Sequence, residues 1–342
     1  MKTCDFNYVL PKELIAQHPH QKRDQARMLV INRKEQSITH QSIKDISNYI
    51  TSLDALVLNN TKVMHSRLFG KKESGGKIEV LFLEELDRNV WSVLIKSSRR
   101  PHIGVPFFLG KENLAAEIIS EGEQGSAIIK ISSDILFKLF ELEGLPPLPP
   151  YISRKNTDTE ILKQDKIRYQ TVYASELGAA AAPTAGLHFT PEILNGLRKK
   201  GISITELTLH VGLGTFRPVS SENIHEHTMH TERYHISHSS ACSLNKTKEN
   251  NGRIFAVGST SVRTLESLPI LKERSGSTDL FIYPPYSFKF VDAILTNFHL
   301  PKSSLLMMMA AFTGKNLLMD AYHEAIKEHY KFFSYGDCML IL

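Results

Sequence analysis

The stretch RIFAVGSTSVRTLES, Arg253 to Ser267, decides the fold class. It runs Ile254 to Val257 into a glycine, then into hydroxyls at Ser259, Thr260 and Ser261, and then into a helix start. A short apolar run stopped by glycine and followed by a helix signal is how a buried strand feeds a helix. Working outward, VDAILTNFHLPKSSLLMMMAAF (Val291 to Phe312) repeats that order. ISITELTLHV, from Ile202, alternates as a strand, and ALVLNNTK, Ala55 to Lys62, is one more of the same kind. TPEILNGLRKKG predicts a helix with Thr190 as N-cap, Pro191 at the first helical position and Gly201 just past the end. Strand, loop and helix in recurrence predict an α/β domain with largely parallel strands.

Between Lys77 and about Ser132 the pattern changes. KIEVLFLEEL, VWSVLIKSS, GVPFFLG, AAEIIS and SAIIKIS are short, rich in Val, Ile and Phe, and separated by turn residues. This is the signature of a sandwich or small barrel. A helix-like segment, SDILFKLFELEG, and the stiff connector LPPLPPY follow. The expected layout is therefore a discontinuous α/β domain, 1–65 plus 147–342, interrupted by an all-β domain at 66–146.

The chain has 342 residues, 42% of them hydrophobic and 23% charged, which suits an ordinary globular protein large enough for two cores. No apolar run is long enough to span a bilayer, and the N-terminus lacks a secretory core, so a cytoplasmic protein with no membrane partner is expected. Three scattered cysteines, Cys4, Cys242 and Cys338, argue against a disulfide framework and a cysteine-rich zinc site. The formal charge of +5 comes with short basic clusters such as Arg99-Arg100 and Arg198-Lys199-Lys200, which suit a polyanionic partner. His225, His227 and His230 have H-x-H-x-x-H spacing, but no second Asp/His cluster accompanies them, and a loop that binds no metal is the expectation.

Parallel strands gather their exit loops at one end of a sheet, where α/β proteins bind ligands. The unusual residues sit in such segments: Asn59-Asn60-Thr61-Lys62, PTAGLHF (183–189), HVGLGTF (210–216), GSTSVR (258–263) and TNFHLPKS (296–303). GSTSVR has hydroxyls and backbone N–H groups that suit an anion. His188, His210 and His299 each close a strand or its loop and are placed for acid–base work. The alanine run in GAAAAPTAGLHFT, 178–190, suits close approach of another group to the backbone.

With these motifs in hand, the chain resembles the S-adenosylmethionine:tRNA ribosyltransferase-isomerase family of queuosine synthesis. NNTKV, LPPYI-x-R, RYQTVYA, GAAAAPTAGLHFT, TLHVGLGTFRPV, HTMHTERY, RIFAVGSTSVRTLES, VDAILTNFHLPKS and FSYGDCMLIL carry the resemblance, in that order. The opening DFNYVLPKELIAQHP and KRDQARMLV add to it. Two departures stand out: Met64-His65-Ser66 where the family has Ile-Pro-Ala, and Tyr283-Pro284-Pro285-Tyr286 where it has Tyr-Pro-Gly-Tyr. The resemblance implies a barrel-like α/β domain with an inserted β-barrel. It also implies that S-adenosylmethionine is a ribosyl donor, that no metal is needed, and that tRNA carrying 7-aminomethyl-7-deazaguanine is the acceptor; a monomer is expected. The C5′ proton beside a sulfonium is acidic, so a base near neutrality is required. His188 and His210 are expected nearest the ribosyl centre, with His299 and Glu232 as further acid–base groups. Thr184, Gly186, Ser259, Thr260 and Asn297 are expected to hold the donor, and Lys62, Arg67, Arg154, Arg168, Lys289 and Lys302 to contact tRNA phosphates. A methyltransferase, a metal-dependent hydrolase and a non-catalytic RNA-binding protein are the rivals.

Overall fold

The computed structural model of the protein describes residues 1–122, 125–154, 158–212 and 219–342. Most of the HVGLGTF loop, 213–216, therefore lies outside the described residues.

β3 (Ala55–Asn59), β14 (Ile254–Val257) and β16 (Ala293–Asn297) are buried along their whole length. Their sequences are continuous apolar runs because both faces of the sheet are covered. Successive side chains alternate between two cores: Ala55 and Val57 with Ile254 and Ala256 on one face, Leu56 and Leu58 with Phe255 and Val257 on the other. β12 (Ser203–Leu209) runs parallel to β3, β3 to β14, and β14 to β16. The Arg253 to Ser267 stretch is, as its pattern predicts, β14 leading into helix α5 (Gly258–Ser267). Helix α3 (Pro191–Lys199) has Thr190 Oγ1 accepting from the Ile193 amide, and Gly201 follows its end at φ +78°.

The sheet is mixed rather than largely parallel. Its nine strands are ordered β15–β13–β12–β3–β14–β16–β17–β1–β2, where β1 is Arg27–Asn32, β2 Ser37–Ser42, β13 Glu232–Ile236, β15 Arg274–Thr278 and β17 Cys338–Ile341. β13 and β15 on one flank are antiparallel additions, and so is β17, against β16, on the other. β17 in turn runs parallel to β1, so the two ends of the chain pair with each other. Neither terminal strand is followed by a strand–loop–helix signal, so local periodicity could not place it.

The inserted strands close on themselves. β5 (Arg67–Lys72), β6 (Lys77–Asp87), β7 (Val90–Ser97), β8 (Pro106–Leu109), β9 (Leu114–Glu121) and β10 (Ser126–Ile131) form a closed barrel in the order β10–β7–β6–β5–β8–β9. Phe82, Trp91, Phe107, Ile118 and Ile129 fill it, and helix α1 (Leu136–Leu142) adds Leu136, Leu139 and Phe140 to the same core. The chain enters and leaves the barrel side by side: the Arg67 and Leu145 amides each donate to the other residue's carbonyl, at 3.1 and 3.0 Å. Leu139 is fully buried against this core. Leu139→Ala is expected to cost about 2–5 kcal/mol of stability in denaturant unfolding, and a loss under half a kcal/mol would contradict a single packed barrel core.

Candidate active site

The exit ends of β12, β14 and β16 enclose a pocket of about 640 Å³ including its open mouth. Its wall is made by Ala182 to Ala185, Val211, Gly258 to Thr260, Thr296 to Leu300 and Ser303. Loops separated by more than a hundred residues thus meet at one rim, as the sequence reading expected. Thr184, Ser259, Thr260, Asn297 and His299 all line it. Ala179 to Ala182 are fully buried. The Ala180 amide donates to the Val211 carbonyl at 3.0 Å, so the run passes close beneath the pocket with no side chain to hold it off.

Asn297, the last residue of β16, is the hub. Its Nδ2 donates to the Asp337 carbonyl at 3.3 Å and to His188 Nε2 at 3.0 Å, while its Oδ1 accepts from Thr184 Oγ1 at 2.9 Å. A carbonyl can only accept, so the Asp337 contact fixes which end of the carboxamide is NH₂. His188 Nε2 must then be the acceptor, and the ring is neutral with its proton on Nδ1. Burial drives its pKa down to about 4, with only partial opposition from Asp337. His188 does not line the pocket; it stands behind Asn297, facing His20, Arg23 and Arg168. Its basic lone pair is engaged, which makes it a positioning group in this arrangement rather than the base expected from sequence.

His299 does reach the pocket. Burial lowers its pKa to about 3, Nε2 lies 3.1 Å from Thr296 Oγ1, and Nδ1 lies 3.5 Å from the Tyr322 hydroxyl. Its backbone is clamped by Tyr322, whose hydroxyl accepts from the His299 amide at 2.9 Å, and by Tyr8, whose hydroxyl donates to the His299 carbonyl. His210 follows β12 and is half-buried beside Val211. Its Nδ1 is 2.9 Å from Thr61 Oγ1, and no described residue hydrogen-bonds its Nε2. Burial, then Arg233, lowers its pKa, partly offset by Glu176. The ring lies so close to Gly178 that a Cβ there would come within 2.9 Å of it, and Gly178 has φ +149°. Glycine is required at that point on both counts.

Two sequence expectations are corrected. Glu232 is not on the pocket wall: it forms a buried ion pair with Arg263 and accepts from the Gly212 amide at 2.9 Å, so it anchors the end of the β12 loop. Gly186 makes room for the Tyr173 hydroxyl, which a Cβ would meet at 2.0 Å, and it does not line the pocket. Among the expected phosphate contacts, Lys62 and Lys302 are exposed. Arg154 is engaged by Asp165 through Nε at 2.6 Å and Nη2 at 3.0 Å, nearly out of solvent, and is not available to a phosphate. Arg67 faces Glu79 and the Leu148 carbonyl, Arg168 donates to the Gln21 carbonyl, and the Lys289 ammonium donates to the Leu268 carbonyl. His225 meets Tyr283 and His227 packs edge-on against Phe281, and among the described residues no group of three potential ligands is placed for a metal. The substituted Pro284–Pro285 peptide is cis.

Sequence reasoning missed the aromatic side of the pocket. Tyr151 and Phe333 have ring centroids 4.9 Å apart, and Phe298 joins them on the wall. Phe333 holds φ +71°, a conformation an aromatic residue rarely adopts, which turns the chain into Ser334, itself 2.6 Å from the Tyr151 hydroxyl. LPPYI and FSYGD were visible as motifs, but nothing in their spacing joins them.

The neutral state of His188 has a thermodynamic consequence. The unfolded imidazole takes up a proton near pH 6.5 and the folded one only near 4, so the unfolded state binds more protons between these values. Stability is therefore fully present above pH 6.5 and falls as the pH drops toward 4. This contribution is on the order of 3 kcal/mol. His188→Gln should flatten that part of the stability–pH curve in denaturant unfolding at pH 7 and 4.5; an unchanged slope would refute a neutral His188.

Comparison with known proteins agrees with this architecture. The model of the queuosine biosynthesis protein family matches residues 3–341. A protein of Acetivibrio thermocellus named S-adenosylmethionine:tRNA ribosyltransferase-isomerase is 47% identical, and one of Thermosipho africanus with the same name is 49% identical; both alignments cover all of each chain. The crystal structure of S-adenosylmethionine tRNA ribosyltransferase from Thermotoga maritima is similar, with a TM-score of 0.56 at 38% identity over 99% of this chain and 100% of that one. A large mixed α/β sheet, an inserted closed barrel and identity of this depth along the whole chain place it in one family: the protein belongs to the queuosine biosynthesis proteins.

Proposed function

We propose that the protein transfers and isomerises the ribosyl moiety of S-adenosylmethionine onto 7-aminomethyl-7-deazaguanine at the wobble position of tRNA, giving epoxyqueuosine and releasing adenine and methionine. The observation that carries this reading is the convergence of Thr184, Ser259, Thr260, Asn297 and His299 on one pocket, in a chain whose full-length relatives are named S-adenosylmethionine:tRNA ribosyltransferase-isomerase. The pocket suits the donor in its lining: it has an aromatic wall and polar groups, with no Asp, Glu, Lys or Arg among the described wall residues. In this reading the α/β domain, 1–65 with 147–342, performs the chemistry, and 66–146 is an inserted unit.

The chemistry needs a base for the acidified C5′ proton and a proton for the departing adenine. His210 is the candidate base by its state, although it is not itself among the described wall residues: its lowered pKa keeps it neutral at pH 7, and its Nε2 is not engaged by the described residues. His299 supplies a second neutral imidazole on the wall itself. His188 and Glu232 act through what they hold, namely Asn297 and the loop after β12.

Incubation with S-adenosylmethionine and a tRNA carrying the aminomethyl base should yield adenine, methionine and a modified nucleoside by mass spectrometry. Release of S-adenosylhomocysteine instead would overturn the reading in favour of methyl transfer. Lys62 and Lys302 are the exposed members of the proposed phosphate footprint. Replacing each with alanine should weaken tRNA binding and lower the slope of log affinity against log salt by roughly 0.7 to 0.9 per lost contact; an unaltered slope removes that lysine from the footprint.

A further inference from the structure

We propose that the N-terminus of α5 seats the carboxylate of the donor's amino-acid moiety, an inference that rests on reading the pocket as the S-adenosylmethionine site. α5 is ten residues long, and no side chain caps it. The helices α3, α4 (His238–Glu249) and α6 (Ser304–Thr313) have Thr190, Ser237 and Ser303 in that role. The hydroxyls that might have capped α5 are otherwise placed. Ser261 Oγ donates back to the Val257 carbonyl at 2.8 Å, and Thr264 Oγ1 to the Thr260 carbonyl at 3.0 Å. Gly258, Ser259 and Thr260, the residues of the first turn, lie on the pocket wall. Gly258 at φ +81° makes the turn from β14 that presents them there.

The second observation is independent of the helix. Thr260 is only 6% exposed, and its Oγ1 is buried without a hydrogen-bond partner. A buried hydroxyl left unmade costs stability, so it signals a missing acceptor. The first-turn amides and this hydroxyl are all donors, and the helix dipole favours negative charge at this end. S-adenosylmethionine has one anionic group, its carboxylate. Seated on α5, that group leaves the sulfonium inside a wall that includes Tyr151, Phe298 and Phe333, whose ring faces attract a cation.

The test compares S-adenosylmethionine with its decarboxylated analogue by isothermal titration calorimetry. Wild type and Thr260→Val are titrated in the presence of a tRNA with an unmodified guanine at the wobble position, so that no turnover occurs. Wild type should prefer the carboxylated ligand by on the order of tenfold to a hundredfold, the value of charge-assisted hydrogen bonds. Thr260→Val should lower affinity for S-adenosylmethionine alone and shrink that preference. Without ligand the variant should melt no lower than wild type, because the deleted hydroxyl makes no bond in the free protein. Equal binding of the two ligands by wild type, equal weakening of both by the substitution, or a lower melting temperature of the free variant would each overturn the assignment. Failure of wild type to bind either ligand would instead remove the parent reading of the pocket, and the assignment with it. Displacement of S-adenosylmethionine from wild type but not from the variant by millimolar inorganic phosphate would assign the turn to a phosphate group, against the proposal.

Discussion

The carboxamide of Asn297 holds the rim together. It sits where β16 ends and ties two distant pieces of chain to that strand: the Pro183–His188 turn through Thr184 and His188, and the approach to β17 through the Asp337 carbonyl. Each of its amide hydrogens has an acceptor, and its carbonyl has a donor. A side chain so fully bonded in a buried place cannot rotate without leaving polar groups unpaired, at about 1–3 kcal/mol for each group. Its polarity also propagates. Thr184 must donate to Asn297, so toward the pocket its oxygen can only accept. The rim thus includes an accepting hydroxyl at Thr184 and a hydroxyl without a partner at Thr260.

The histidines follow from the same dryness. In a low-dielectric setting the charged imidazolium is penalised, and both His188 and His299 are held neutral far below ordinary pH. His210, only half-buried, is shifted in the same direction. What each imidazole touches, more than its burial, separates the proposed roles: His188 is tied to Asn297, while His299 stands on the wall and His210 has an Nε2 that no described residue engages.

Much of this was legible in the sequence. Continuous apolar runs ending in Gly, Asn or His gave β3, β14 and β16 and the side of the sheet where their loops meet, because strand direction alone decides that. Five of the six barrel strands were legible from alternation and turn spacing, and β5 was not. The flanks were not: β1 and β17 lie side by side in the sheet although more than 300 residues apart in the chain, and local periodicity holds no record of such a partner. The site was legible as a set of loops but not as a set of roles. His188 and His299 look alike in PTAGLHF and TNFHLPK, and only coordinates show that one faces a carboxamide and the other the pocket. Arg154 likewise looks like any exposed cation until Asp165, eleven residues on, is seen to clamp it.

Among the described residues of the pocket wall none is a carboxylate, which is consistent with the reaction proposed. A donor sulfonium entering such a site trades water for aromatic faces and neutral dipoles, with no acidic side chain on the wall to stabilise its charge as a ground state. Ribosyl transfer converts that sulfonium into a neutral thioether, so the positive charge at sulfur disappears as the reaction proceeds. An acidic wall would bind the starting cation more tightly than anything that follows it, and such uniform or ground-state binding does not accelerate chemistry. Binding energy is better placed on the part of the donor whose charge does not change. The amino-acid carboxylate is that part, and the uncapped first turn of α5 lies where it can be held while the reacting carbon is left to the imidazoles.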